Sequence, residues 1–335
     1  MKIAFITTEY PPRIIGGAGN YAFNIVRELA GLGNEIFLIV PKELAKDILS
    51  EENIHVIPAG AAYVEPLNIM HFWISLPRVI RDIRKENDLD IIHFNGLCSM
   101  FLNIVPSIPN FLTIHHSIGY SHNKINIIEK LLDFRGENGL IMPLIEKRAV
   151  KKCENIIAVS KYTENQLIDR YDISNDKIKV IYNGSNQLPK PDYEKVKYLR
   201  DKYKLSEKKV ILFVGRINDY RKGLDLLIRA YSLLSERDSF ALIIVGKGEQ
   251  KNIIDLAYEL GIHQSIIFTD FLDDFELSNH YALADIFVSP SRMEGFGLTL
   301  LEAAKYKLPI IATRVGGIPE LVANGLCATL VNPDP

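Results

Sequence analysis

Cysteine is scarce in this chain: three residues in 335, Cys98, Cys153 and Cys327, with no Cys-x-x-Cys pair. An odd, scattered set excludes a disulfide framework and a structural zinc site, and fits a reducing compartment. No run approaches the roughly 20 apolar residues that a membrane span needs. The opening MKIAFITTEYPP holds one Lys, and Pro11 and Pro12 break its apolar run before a secretory segment would be complete. The expected location is cytoplasmic, at most peripheral on a membrane surface. An excess of one charge is missing too. Lys+Arg 39 against Asp+Glu 41 leaves −2, which excludes a nucleic-acid binder working by bulk charge. The 8 His stand singly apart from His115-His116, without metal-ligand spacing, so neither a metal nor another cofactor is expected. A hydrophobic content of 47% excludes disorder.

What is present is alternation. Short apolar runs such as KIAFI and IIAVS, read as strands, alternate with helical patterns such as Tyr21–Leu32, Phe72–Glu86 and Ile141–Lys152. Strands apolar nearly throughout belong to a parallel sheet covered on both faces. The segment Asn186–Leu205 breaks the pattern with charge, Pro189 and Pro191, and reads as a linker with one short charged helix. Alternation then restarts at KKVILFVG. The expected fold class is α/β, with two doubly wound Rossmann-like domains, 1–190 and 191–335, facing a ligand cleft at the carboxyl ends of their strands.

Three motifs invite chemistry. Gly17-Ala18-Gly19-Asn20-Tyr21-Ala22 matches G-x-G-x-x-A, but nine residues separate Thr7 from Gly17, and Pro41 and Lys42 follow the next strand where an acidic residue would be needed. A nicotinamide site is therefore not expected; a helix N-terminus facing an anion, or a plain Gly-rich turn, remains. Asp88-Leu89-Asp90 reads as solvated surface charge. The strongest signal is Glu294-Gly295-Phe296-Gly297-Leu298-Thr299-Leu300-Leu301-Glu302. A small-residue turn into a helix leaves the amides of about Phe296 to Thr299 without intrahelical partners, suited to a diphosphate or sugar hydroxyls. Glu294 and Glu302, held apart, suit hydroxyl donors at two ends of one ligand.

Glu, seven residues and Glu around this Gly-Phe-Gly turn resembles the signature of retaining glycosyltransferases of the GT-B fold, glycosyltransferase family 4. Further segments resemble the family in order along nearly the whole chain: TTEYPPRIIGGAGNY, TIHHS, VSKYTENQL, VIYNGSN, GRINDYRKGLDLLIRA and GGIPELV. The resemblance implies a retaining, metal-independent transfer of a hexose-type sugar from a UDP- or GDP-sugar to a glycan, lipid or small-molecule acceptor. It implies an acceptor-side first domain and a nucleotide-sugar-binding second one. By the same resemblance, Arg216 and Lys222 neutralise the diphosphate, Glu294 binds the donor sugar and Glu302 the ribose hydroxyls. Phe296, Gly297, Leu298 and Thr299 offer backbone to the donor. Gly17 approaches the phosphate or acceptor, His115 stands beside the transferring sugar, and the base packs near Thr269–Asp273. A non-catalytic sugar-nucleotide or glycan-binding protein, or a sugar-nucleotide epimerase on the same fold, is the alternative.

Asn68–Glu86 mixes Phe72, Trp73 and Ile74 with Arg78, Arg81, Arg84 and Lys85. It reads either as a sheet-covering helix or as a basic amphipathic contact with anionic membrane, and the cluster 147–152 shares that ambiguity. Set against the family, the sequence stops before the expected last helices, from which a looser cleft and some exposed apolar surface are expected.

Overall fold

The computed structural model describes residues 1–13, 16–49, 51–60, 67–96, 108–117, 141–185 and 187–334; Cys98 lies outside them. The chain forms two units, Met1–Asn183 and Gly184–Pro335.

The first unit carries strands β1 (Lys2–Ile6), β2 (Glu35–Pro41), β3 (Ile54–Ala59), β4 (Ile91–Asn95), β5 (Asn110–Ile114), β6 (Asn155–Ala158) and β7 (Ile178–Val180). They form one parallel sheet in the order β3-β2-β1-β4-β5-β6-β7, so the chain starts in the middle and winds outward both ways. Period-two alternation sends successive side chains to opposite faces. Ile3 and Phe5 of β1 pack with Ala22, Val26 and Ala30 of the helix Gly17–Gly31. Ala4 and Ile6 pack on the other face with Phe72, Trp73, Leu76 and Ile80 of the helix Leu67–Glu86. Phe72 and Trp73 are buried against the sheet, and the exposed large apolar side chains among the helix's described residues are Met70 and Ile74. In the helix Ile141–Lys152, Ala149 and Val150 are likewise buried while Lys147, Arg148 and Lys151 face solvent. Among the described residues no helix is long and apolar enough to cross a membrane.

The second unit repeats the winding with β8 (Lys209–Val214), β9 (Phe240–Val245), β10 (Ile266–Thr269), β11 (Ile286–Ser289), β12 (Ile310–Thr313) and β13 (Thr329–Val331). All pairs are parallel, in the order β10-β9-β8-β11-β12-β13. Val210 and Leu212 face one core, Ile211 and Phe213 the other.

The segment expected to be a linker is part of this unit. Asp192 caps the helix Tyr193–Lys202 by accepting from the Glu194 and Lys195 amides. Leu199 is buried, the Asp192 amide donates to Asn279 Oδ1 at 2.7 Å, and Lys195 pairs with Glu276 at 2.7 Å. A helix that buries one narrow stripe on a neighbour is polar elsewhere, which is what made it look like a tether. A second correction concerns the first helix, which begins at Gly17 rather than Tyr21: the Gly19 and Asn20 amides both bond the Gly16 carbonyl. Asp90 accepts from the Lys2 amide at 2.7 Å, joining the amino ends of β4 and β1, a structural use of that surface charge.

Candidate active site

In the second unit, β8 ends at Val214 and the chain turns through Gly215 and Arg216 into a single 3-10 turn, Tyr220–Lys222. Asp219 organises that turn. Its Oδ1 accepts from the Arg221 amide at 3.1 Å, while its Oδ2 meets the Arg221 guanidinium at 2.8 Å and that of Arg216 at 2.5 Å. Burial by itself would raise the Asp219 carboxyl, but the Arg221 bonds and the two guanidinium charges outweigh it and hold it below the usual range. Gly223, at φ +63°, then starts the helix Leu224–Ser232. A Cβ there would stand 2.0 Å from the Pro290 carbonyl, so only glycine lets the two loops approach.

The facing loop follows β11. The Arg292 and Met293 amides donate to the Arg221 carbonyl at 2.7 and 3.3 Å. The Arg292 guanidinium is bidentate on Asp225, both contacts 2.6 Å, and lies 4.2 Å over the Tyr220 ring. Planar fork-to-carboxylate pairing of this kind fixes orientation as well as distance. It brings the loop to where Lys222 Nζ donates to Glu294 Oε2 at 2.7 Å. The loop after β12 braces the other side: the Gly317 amide donates to the Glu294 carbonyl at 3.0 Å, and a Cβ on Gly316 would fall 1.8 Å from that same oxygen.

Beyond Glu294, Phe296 and Gly297 are buried and Gly297, at φ +102°, leads into the helix Leu298–Lys305. Leu298 and Thr299 occupy the first turn, where amides precede the intrahelical ladder and favour an anion. Glu302 is not a solvent-facing carboxylate: it is 3% exposed, and Tyr281 donates its hydroxyl to Oε2 at 2.8 Å. Near Thr269–Asp273, Phe271 is exposed with Lys247 Nζ 4.2 Å from its ring centre.

The first unit holds the other two expected residues. Gly17 is the first residue of its helix, exposed, next to a Gly16 amide that donates to Glu9 Oε2 at 3.0 Å. His115 follows β5 and lines a cavity of about 140 Å³ with Thr7, Thr8, Glu9, Ala18, Asn95 and neighbours. Its Nε2 is 2.7 Å from Asn95 Oδ1, and its ring stands edge-on to Tyr21, centres 4.9 Å apart. Beneath it, Thr113 Oγ1 meets the Tyr21 hydroxyl at 3.2 Å and His93 Nε2 at 2.8 Å. Burial pushes His93 down to about 4; burial, then the charges of His116 and His93, push His115 down to about 3. Both imidazoles are neutral at physiological pH.

Lys222 and Glu294 are thus in direct contact, Arg216 sits on Asp219 at the end of the same strand, and Glu302 lies down the helix that Glu294 precedes. In the first unit His115 lines the cavity with Ala18, whereas Gly17, one residue earlier at the start of the same helix, is not among its lining residues. The supports Asp219, Asp225, Arg292, Tyr281 and Asn95 went unread in the sequence. The clearest available hint was Asp219 itself, spaced three residues from Arg216.

Two doubly wound parallel sheets in one chain, the second carrying paired cations and carboxylates where its first strand ends, are the arrangement expected of the GT-B glycosyltransferases that the sequence resembles. Comparison with known proteins places the family. The model "Glycosyltransferase Family 4" matches residues 15–186 and "Glycosyl transferases group 1" residues 196–334, and the chain belongs to this glycosyltransferase family. It is 29% identical to an uncharacterized glycosyltransferase of Methanocaldococcus jannaschii, over 100% of this chain and 86% of the relative. It is 31% identical to the GDP-mannose-dependent alpha-(1-6)-phosphatidylinositol monomannoside mannosyltransferase of Mycolicibacterium smegmatis, over 98% and 84%. The crystal structure of Anabaena HepE in complex with UDP-glucose superposes with a TM-score of 0.75 at 21% identity, covering 99% of this chain and 86% of that one.

Proposed function

We propose that the protein is a retaining, metal-independent hexosyltransferase, its second unit holding a UDP- or GDP-sugar and its first unit serving the acceptor. The observation that carries this reading is the Lys222–Glu294 contact at 2.7 Å beside the start of the helix Leu298–Lys305. A cation beside a carboxylate at a helix N-terminus offers two complementary subsites: positive charge for a diphosphate, and an acceptor for sugar hydroxyls. Arg216 adds a second cation, paired with Asp219, a carboxylate that it shares with Arg221. The amides of Phe296 to Thr299 line the phosphate side, Glu302 takes ribose hydroxyls, and Gly17 and His115 serve the sugar and the acceptor. The relatives support the donor range, since one is named for GDP-mannose and one neighbour was crystallised with UDP-glucose.

The C1–O bond to the diphosphate breaks, the acceptor oxygen bonds C1 on the same face, and the acceptor proton passes to a diphosphate oxygen. Such a step asks the protein chiefly for positioning and for charge placed where the leaving group develops it. Arg216 and Lys222 supply that charge.

The test is a thermal-shift panel of UDP-, GDP- and ADP-sugars, then product analysis by NMR for the anomeric configuration, with and without EDTA. Expected are stabilisation by a UDP- or GDP-sugar, retained configuration and full activity in EDTA. Inverted product or loss of turnover in EDTA overturns the mechanism. Full donor-induced shifts in both Arg216→Ala and Glu302→Ala overturn the site.

A further inference from the structure

Asn95 ends β4, 20 residues from His115 in sequence, and its side-chain amide has one arrangement. The nitrogen end lies 3.1 Å from the Ala18 carbonyl and 3.1 Å from Thr7 Oγ1. A carbonyl only accepts, so the group facing Ala18 must be the NH2, and the amide cannot be flipped. Thr7 agrees with that orientation, because its hydroxyl hydrogen is directed to the Glu9 carbonyl at 2.9 Å, leaving a lone pair for Asn95. Oδ1 therefore faces His115, and an amide oxygen only accepts. At 2.7 Å, His115 Nε2 must carry the hydrogen.

We infer that Asn95 is a positioning residue that fixes His115 as its Nε2–H tautomer and so reserves Nδ1 as a lone pair for a ligand hydroxyl. The ring is neutral, with a single hydrogen to place, so settling Nε2 settles Nδ1 as well. No described side chain or backbone group takes Nδ1. The same Asn95 amide holds Ala18, in the first turn of the Gly-rich helix, so imidazole and helix start are set by one side chain. That the hydroxyl belongs to a sugar rests on the function proposed above; the tautomer does not.

The titratable groups around His115 are Tyr21 from the helix Gly17–Gly31, His93 from β4, the adjacent His116, and Glu9, which lines the same cavity. His93 and His115 are uncharged at neutral pH on this account, so the wild-type rate should show no acid limb owed to His115 between pH 7 and 5. Asn95→Asp keeps an acceptor opposite Nε2 but adds a negative charge, which raises the imidazole pKa.

Two readouts test this. In 15N-histidine-labelled full-length protein at pH 7, long-range 1H–15N correlation should show His115 as Nε2–H, assigned by its loss in His115→Gln. Asn95→Ala should give a tautomer mixture at an unchanged fold by circular dichroism. A wild-type Nδ1–H signature overturns the inference whatever the enzyme does. With the nucleotide sugar that the wild type turns over, Asn95→Ala should lower kcat about 10-fold with donor KM within about 2-fold. Asn95→Asp should retain the Nε2–H signature and acquire a rate that falls as pH drops through the raised pKa. Unchanged kcat and pH profile in both variants overturns the positioning role. If the wild type turns over no donor, the proposed function falls and the spectrum still decides Asn95. If Asn95→Ala does not fold, the wild-type and Asn95→Asp spectra carry the test.

Discussion

The two units share a strand order and differ in what they build at the ends of their strands. In the first, Thr7, Tyr21, His93, Asn95, Thr113 and His115 form a neutral network of hydroxyls, an amide and imidazoles. In the second, Arg216, Asp219, Arg221, Lys222, Asp225, Arg292 and Glu294 form a compact set of ion pairs. One winding thus supports two kinds of pre-organisation. Neutral groups hold a hydroxyl-rich ligand by direction, and paired charges hold an anionic one by re-pairing with it. On the proposed function, loss of charge in the second unit should cost the most. Lys222→Ala should lower kcat about 100- to 1000-fold with little change in the apo melting temperature. Initial rates at saturating donor check this, and a loss under about 5-fold would remove Lys222 from the leaving-group site.

The glycine-rich turns sharpen the contrast. Gly316 sits at φ +58° with the Glu294 carbonyl where its Cβ would be, so Gly316→Ala combines backbone strain with a clash against backbone. We expect a loss of about 4 kcal/mol in urea unfolding, together with loss of donor-induced stabilisation. Gly16, at φ −162° and ψ −164°, is ordinary extended backbone with open space beside it. Gly16→Ala should stay within about 0.5 kcal/mol of wild type. Equal effects at the two positions would show that the braced loop around Glu294 is no more demanding than the helix start in the first unit.

Acid should separate the units in order. His93 is buried and neutral, with its pKa lowered from 6.5 to about 4. The unfolded chain binds the extra proton between those values, so stability is whole above about pH 6.5 and falls as pH drops toward 4, by about 3 kcal/mol. Asp219 and Asp225 are both held below 3.8 by their arginines, though burial opposes this. Their contribution is present above that value and is lost only as pH falls through the lower folded pKa. Burial also lowers His280 in the second unit from 6.5, but the first unit holds two such imidazoles, His93 and His115, so it should lose stability first on acidification. The single tryptophan, Trp73, is buried in it and reports on it alone. Trp73 emission should change at a higher pH than the far-UV circular dichroism midpoint, and replacing both His93 and His115 with Gln should bring the two closer together. Coincident transitions in the wild type would break the comparison.

Much of the fold was legible because strands buried on both faces read as apolar runs, and the interval from Glu294 to Glu302 and the Lys-Gly pair survive as local spacing. Most of the supports were not legible, because they join residues remote in sequence; Asp219, close to both Arg216 and Arg221, is the exception. Arg292 and Asp225 are 67 apart, and Lys222 and Glu294 are 72 apart. Nothing local in His115 announces Asn95, and nothing in Glu302 announces Tyr281. The tether reading of 186–205 failed for a related reason: with only Leu199 buried in the helix, composition registers its exposed face and not its docking on the helix Asp274–Leu283.

A smaller loss than at Lys222 or Gly316 is expected where the second unit borrows the first unit's method. Tyr281 is wholly buried, its ring stacked on Tyr306 at 5.3 Å, and its hydroxyl donates to Glu302 Oε2. This is a directional bond from a neutral donor inside a unit otherwise organised by ion pairs. Burial, then the nearby Glu302 carboxylate, push the Tyr281 hydroxyl well above its usual value, so it remains a donor throughout the working pH range. Tyr281→Phe removes the donor while keeping the ring and its stack. The buried carboxylate then loses one bond, which should cost about 1–2 kcal/mol of stability by urea unfolding. Because Glu302 would be less firmly aimed, donor affinity by isothermal titration should weaken about 10-fold on the proposed function. Stability lost with donor affinity unchanged would make Tyr281 a core residue only and would detach Glu302 from the ribose. Affinity lost at unchanged stability would instead show that the hydroxyl acts on the ligand and contributes nothing net to the fold.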